Sequence, residues 1–181
     1  LRLARFDPGG TGGIGHAHRL FQAAYTRNIT VEHCESTGFD NIHWDFYCAV
    51  GVVVEAVKCR EATLSANAYG VCIQRGCRDA VVTNSAFSYM RHGVTVGGSG
   101  WVNRFIRIAN NHAEYMIDAG FDSHPQAQYV TFIGNTVVCR DETDSGNTDG
   151  LTCQAADYVI DSNVVMRPYG SGIFAQNVIL G

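Results

Sequence analysis

The chain has 181 residues, 46% hydrophobic and 17% charged, which is the balance of a folded protein with room for one sizeable core. Its formal net charge of -4 and its lack of any Lys and Arg run argue against a nucleic-acid partner. No stretch is long and apolar enough for a bilayer-spanning helix, and Leu1-Arg2-Leu3-Ala4-Arg5 has neither a signal core nor an initiating Met, so the sequence reads as a piece of a longer chain.

The first 27 residues show no clear register. His16 and His18 have a metal-like spacing, but near a terminus they are read as surface residues, and Arg19 to Tyr25 could form a turn of helix. From Asn28 a pattern recurs: apolar, any, apolar, two of any kind, a small or polar residue, then another apolar pair. It reads Ile29-Thr30-Val31 to Cys34, Val54-Glu55-Ala56 to Cys59, Ala80-Val81-Val82 to Ser85, Ile106-Arg107-Ile108 to Asn111, Val130-Thr131-Phe132 to Asn135, and Tyr158-Val159-Ile160 to Asn163. The interval is roughly 24 to 28 residues.

A second strand follows in each unit: Asn41-Ile42-His43-Trp44, Gly70-Val71-Cys72-Ile73, Gly93-Val94-Thr95-Val96, Gly120-Phe121-Asp122-Ser123, Gly150-Leu151-Thr152-Cys153 and Gly172-Ile173-Phe174-Ala175. Strand alternation without helical periodicity, at this period, predicts an all-β solenoid whose units stack as coils, with Asn111, Asn135 and Asn163 in a ladder. The seven cysteines are odd in number, lack zinc spacing and sit among β-formers, so they read as small core residues rather than a disulfide framework. Arg140 to Asp149 lengthens one turn into an acidic loop; Asp141, Glu142 and Asp144 offer oxygen ligands for calcium but match no calcium-loop spacing.

Residues 28 to 177 resemble the right-handed parallel β-helix of the pectate-lyase superfamily. The Val-x-Phe-Ile-Gly-Asn-x-Val rung carries the fold, while Phe121-Asp122-Ser123-His124-Pro125 followed by Tyr129-Val130-Thr131-Phe132 looks like phage tail spikes and related polysaccharide-degrading proteins. The resemblance implies one β-helix domain over 1–181, with about six to seven coils. It further implies a polysaccharide partner, an extracellular or virion setting and a homotrimer.

Alternation of faces writes out the outward columns. The first is His43, Cys72, Thr95, Asp122, Thr152 and Phe174; the second is Asp45, Gln74, Gly97, His124, Gln154 and Gln176; the rim adds Asp40, Tyr69, His92, Ala119, Asp149 and Ser171. Adjacent coils lie about 4.8 Å apart, so His92, Asp122, His124 and Asp149 come from three consecutive coils and can converge. Hydrolysis of a glycosidic bond needs two carboxyl groups, about 5 Å apart for retention or about 6.5 to 9.5 Å for inversion, and Asp122 with Asp149 suit that demand. Elimination beside a uronate would instead use His92 or His124 as base and Arg91 as charge partner.

The expected catalytic set is therefore Asp122, His124, Asp149 and His92, with Arg91, Thr95, Gln74, Gln154, His43, Asp45 and Tyr69 binding substrate and no cofactor beyond the calcium possibility. His43 and Asp45 form a similar pair too distant along the stack to join the same site, and read as either a second subsite or decoration. Trp101, after Gly97-Gly98-Ser99-Gly100, stacks on a sugar or pins its loop. The competing expectation is a glycan-binding adhesin or structural shaft, since the fold alone does not decide function.

Overall fold

The computed structural model describes residues 19–38, 41–62, 68–98, 100–139, 149–168 and 170–176. Each coil holds three short strands. The first is β1 (Arg19–Ala24), β2 (Arg27–Glu32) and β3 (Glu35–Thr37); the second is β4 (Ile42–Tyr47), β5 (Val50–Glu55) and β6 (Lys58–Arg60). The third is β7 (Tyr69–Gln74), β8 (Arg78–Thr83) and β9 (Ala86–Ser88), followed by β10 (His92–Gly97), β11 (Asn103–Ala109) and β12 (His112–Met116). The fifth is β13 (Ala119–Ser123), β14 (Ala127–Ile133) and β15 (Thr136–Cys139), and the sixth is β16 (Asp149–Cys153), β17 (Ala156–Asp161) and β18 (Val164–Met166), after which β19 (Ile173–Ala175) opens a seventh.

Every strand pairs in parallel with its counterpart one coil away. Among the described residues this gives a first sheet of seven strands and a second and third of six each, the architecture of a parallel β-helix. The Arg19–Ala24 stretch is the first strand of that stack and not a turn of helix: Phe21 pairs with Trp44, and their rings lie 5.8 Å apart. Inward side chains fill the tube, with Trp44, Phe46, Phe87, Phe121 and Phe132 fully buried. Side chains of this size contribute about 1.5–3 kcal/mol each on burial. All seven cysteines are free thiols, six of them buried and Cys48 half-buried.

The turn from second to third sheet is made the same way in each coil. One left-handed residue (His33, Ala56, Asn84, Asn110, Gly134 or Ser162, φ between 51 and 65°) is followed by an inward-facing residue at the corner. In the last three coils that corner residue is asparagine. Asn111 donates both its backbone N–H (3.0 Å) and its Nδ2 (3.1 Å) to Asn135 Oδ1, and Asn135 does the same to Asn163 Oδ1 at 3.0 and 2.9 Å. Each Nδ2 also bonds a strand carbonyl, Val82 for Asn111 and Ile108 for Asn135, both at 2.9 Å. The ladder satisfies polar backbone that the corner buries. Asn135→Ala would strand the Asn111 N–H and the Ile108 carbonyl, so chemical denaturation should read a loss of about 2–4 kcal/mol.

One coil departs from the expected register. Ile29-Thr30-Val31 pairs with Val52-Val53-Val54, and Val57, not Cys59, lies in the corner column with Cys34 and Ser85. The slip is of two residues, which preserves the faces, and arises because Val50 to Val54 is apolar at nearly every position.

A candidate active-site cleft on the first sheet

The first sheet bends at its start so that two consecutive residues face inward. A Cβ on Gly120 would lie 2.6 Å from the Val137 side chain, and the next residue, Phe121, is fully buried. Glycine fits there because the third sheet leaves no room for a side chain. The residue before the glycine therefore faces outward with those two and four places after the glycine: His92 with Thr95; Asp122 with His124; Asp149 with Thr152 and Gln154. All of these but Thr95 join Arg91, Asp118, Ser171 and Phe174 to line a cleft of about 390 Å³ that crosses four coils.

On the cleft floor the His124 imidazole donates from Nε2 to Asp122 Oδ2 at 2.9 Å, and the Thr95 hydroxyl donates to the same oxygen at 3.0 Å. The Asp122 side chain is 5% exposed and that of His124 43%. Burial pushes the Asp122 carboxyl up, but the His124 hydrogen bond, the charge of His92 and the Thr95 hydroxyl together hold it below the usual carboxylate range. His124 moves the opposite way: its bond to Asp122 lifts the imidazole above the usual range, against its partial burial.

His92 is buried at the rim beside the Tyr69 ring (centroids 5.3 Å apart), with Nδ1 3.1 Å from the Ala119 carbonyl and Nε2 3.7 Å from Asp118 Oδ2. Burial lowers its affinity for a proton, more than Asp122 and Asp118 restore it. Asp149 lies in the same column as His92, two coils along, its Oδ1 accepting the Ser171 N–H at 2.6 Å and its Oδ2 the Thr152 hydroxyl at 3.4 Å.

No known family and no curated protein matches the chain. Among solved structures it is similar to the crystal structure of endo-xylogalacturonan hydrolase from Aspergillus tubingensis, at a TM-score of 0.47 and 13% identity over 89% of this chain. The chain spans 65% of the length of that hydrolase, and the likeness extends to the fold alone.

Asp122, His124, Asp149, His92, Arg91 and Gln154 are thus brought to one cleft. Thr95 reaches it through Asp122, whereas Tyr69 and Gln74 line an adjoining cavity of about 410 Å³ that shares His124. His43 does not face outward. Ile42 pairs with Tyr69 and Trp44 with Val71, which puts His43 opposite Gly70 in the inward glycine column, 0% exposed and 2.6 Å from Ser36 Oγ. The expected register was two residues off here because Asn41 resembled the missing glycine.

The same slip moves Asp45 into the column of Thr95 and Asp122, three coils below Asp122, where Gln74 (2.6 Å) and Gln22 (3.0 Å) donate to its two oxygens. Neither residue lines the cleft. Trp101 is 74% exposed and lies against Gly76, away from the site. Asp40, His16, His18 and the acidic loop from 140 to 148 fall outside the described residues.

Asp118 went unrecognised in the sequence. Arg91 donates to its Oδ2 from Nε at 3.1 Å and from Nη2 at 3.0 Å, so the guanidinium expected to meet substrate is tied to a carboxylate. Only the coil interval separating Arg91 from Asp118 hinted at the pair. Among the described residues, no group of three or more His, Cys, Asp or Glu is gathered to hold a metal, and no helix is long and apolar enough to cross a membrane.

Proposed function

We propose that this chain is a polysaccharide hydrolase that cuts its glycan in the cleft on the first sheet. The observation that carries the reading is the Asp122–His124 pair, displaced in opposite directions from ordinary proton affinity on the floor of a cleft that it shares with Asp149. One proton lies between His124 Nε2 and Asp122 Oδ2. The pair delivers it to the leaving glycosidic oxygen as the bond to the anomeric carbon breaks. Asp149, oriented by Ser171 and Thr152, takes a proton from the attacking water, and solvent resets both groups.

Elimination is less well supported, because the cation it would need, Arg91, is already committed to Asp118. Phe174 offers an apolar wall at one end of the cleft and Gln154 a hydrogen-bonding side chain. Bacterial-surface and plant glycans lie outside cells, which favours an extracellular setting for the protein, secreted or tail-spike-like, the latter with the trimer that setting implies.

The test is incubation of the purified protein with a panel of bacterial-surface and plant polysaccharides, reading new reducing ends and ultraviolet absorbance together. Reducing ends without absorbance are expected. Absorbance from unsaturated products would replace hydrolysis by elimination, and glycan binding with no cleavage would make the protein an adhesin. Hydrolysis should follow a bell in pH, requiring Asp122 ionised and the pair charged, with its acid limb below about 3.9 and its alkaline limb above about 6.5.

A further inference from the structure

We infer that Gly97 is a positioning residue: the side chain it lacks leaves the space in which the His124 imidazole lies, and so residue 97 decides whether His124 reaches Asp122. At this place on the first sheet the column runs Ala24, Tyr47, Gln74, Gly97, so the fold accepts side chains here. A Cβ on Gly97 would stand 2.8 Å from His124 Cγ and 2.9 Å from its Cβ, and nearer still to Cδ2. The imidazole therefore lies folded back over the strand one coil below. That coil also supplies Thr95, the second donor to Asp122 Oδ2.

The His124 main chain cannot simply retreat, because its backbone N–H is fixed to the Val96 carbonyl at 2.8 Å, so the displacement falls on the side chain. Nothing in the backbone calls for glycine at 97. Its φ is outside the left-handed region, unlike that of Gly98 at +97°, so alanine is compatible with the main-chain conformation, and the three atoms nearest to its Cβ all belong to the His124 side chain. The charged groups facing His124 are Asp122, Asp118 and Arg91, and of these only Asp122 is within hydrogen-bond reach.

The experiment compares wild type, Gly97→Ala, His124→Ala and the double variant. Imidazole titration by NMR should show His124 returning towards the ordinary range in Gly97→Ala. Thermal melts should show that Gly97→Ala lowers Tm in the presence of His124 and has no such effect in the His124→Ala background. An unmoved His124 titration, or an equal loss of Tm in both backgrounds, overturns the inference. If Gly97→Ala alone does not fold, the double variant must still melt like His124→Ala, and its failure to do so counts equally against it. The activity arm rests on the proposed hydrolysis: Gly97→Ala should lower kcat and pull the alkaline limb down. Altered titration with a wild type that cuts no glycan leaves the positioning role intact and removes the hydrolase; cleavage with unaltered titration does the reverse.

Discussion

Asp122→Asn should lower kcat for glycan cleavage by about 10²–10⁴-fold while leaving KM within a few-fold. The substitution keeps the shape of a side chain that is 5% exposed, and the Thr95 hydroxyl can still donate to the amide oxygen, so the cleft floor should remain formed. What disappears is the negative charge that keeps His124 protonated. The imidazole should fall back towards its ordinary range, and residual activity should lose its alkaline limb at lower pH than in wild type. Initial rates of reducing-end release across pH, with the NMR titration of His124 alongside, provide the measurement. Activity within a few-fold of wild type would remove Asp122 from the reaction, and Asp149→Asn then becomes the test of whether the other carboxylate acts without it.

The pair also bears on folding, with opposite signs at its two ends. Asp122 has a folded value below its unfolded one, so its contribution is present above the unfolded value and is lost as pH falls through the folded one. His124 has a folded value above its unfolded one; its contribution is full below the unfolded value and is lost as pH rises through the folded one. The pair therefore contributes most between about 4 and 6.5, the same interval in which its charged form is proposed to act.

Much of this arrangement could be read from the chain because a solenoid imposes the same demands on every coil. Inward apolar residues, a corner asparagine and a glycine at the bend recur, and Asp122 and His124 fall on one face simply by being two residues apart. The second coil resisted because it has lost its markers. The Val50–Val54 run offers no polar residue to set the register, and His43 occupies the place glycine holds in later coils, room for it being left by the small Ser36 rather than a Phe or Val of the third sheet. Strict alternation also cannot reveal a bend at which Gly120 and Phe121 both face inward. Asp118 escaped for a different reason: it lies in a turn, where no periodicity marks which way a side chain points.

Acid should unfold the chain through His43. Burial pushes this imidazole down to about 3, whereas in the unfolded chain it titrates near 6.5. The sign is opposite to that of His124: the unfolded state takes up the proton first. Stability is intact above about 6.5, declines as pH falls through that value, and levels off only below the folded value, for a total of about 5 kcal/mol. That is comparable to the whole stability of many domains, so urea midpoints should drop steeply between pH 6 and 4, a window in which this histidine binds protons on unfolding. His92, also lowered by burial, adds to the same slope, and Asp122 adds its loss only at lower pH, so the difference between wild type and His43→Asn isolates the one residue. The asparagine amide can occupy the place of Nδ1 beside Ser36, and although the smaller side chain should cost stability at neutral pH, its curve should be much flatter in acid. Equal slopes in the two proteins would mean that His43 is protonated at little cost in the folded state. The expected outcome also governs how the cleavage profile is read, because the acid limb due to Asp122 lies where His43 has already weakened the fold, and rates there must be taken on protein whose circular dichroism shows the coils still formed.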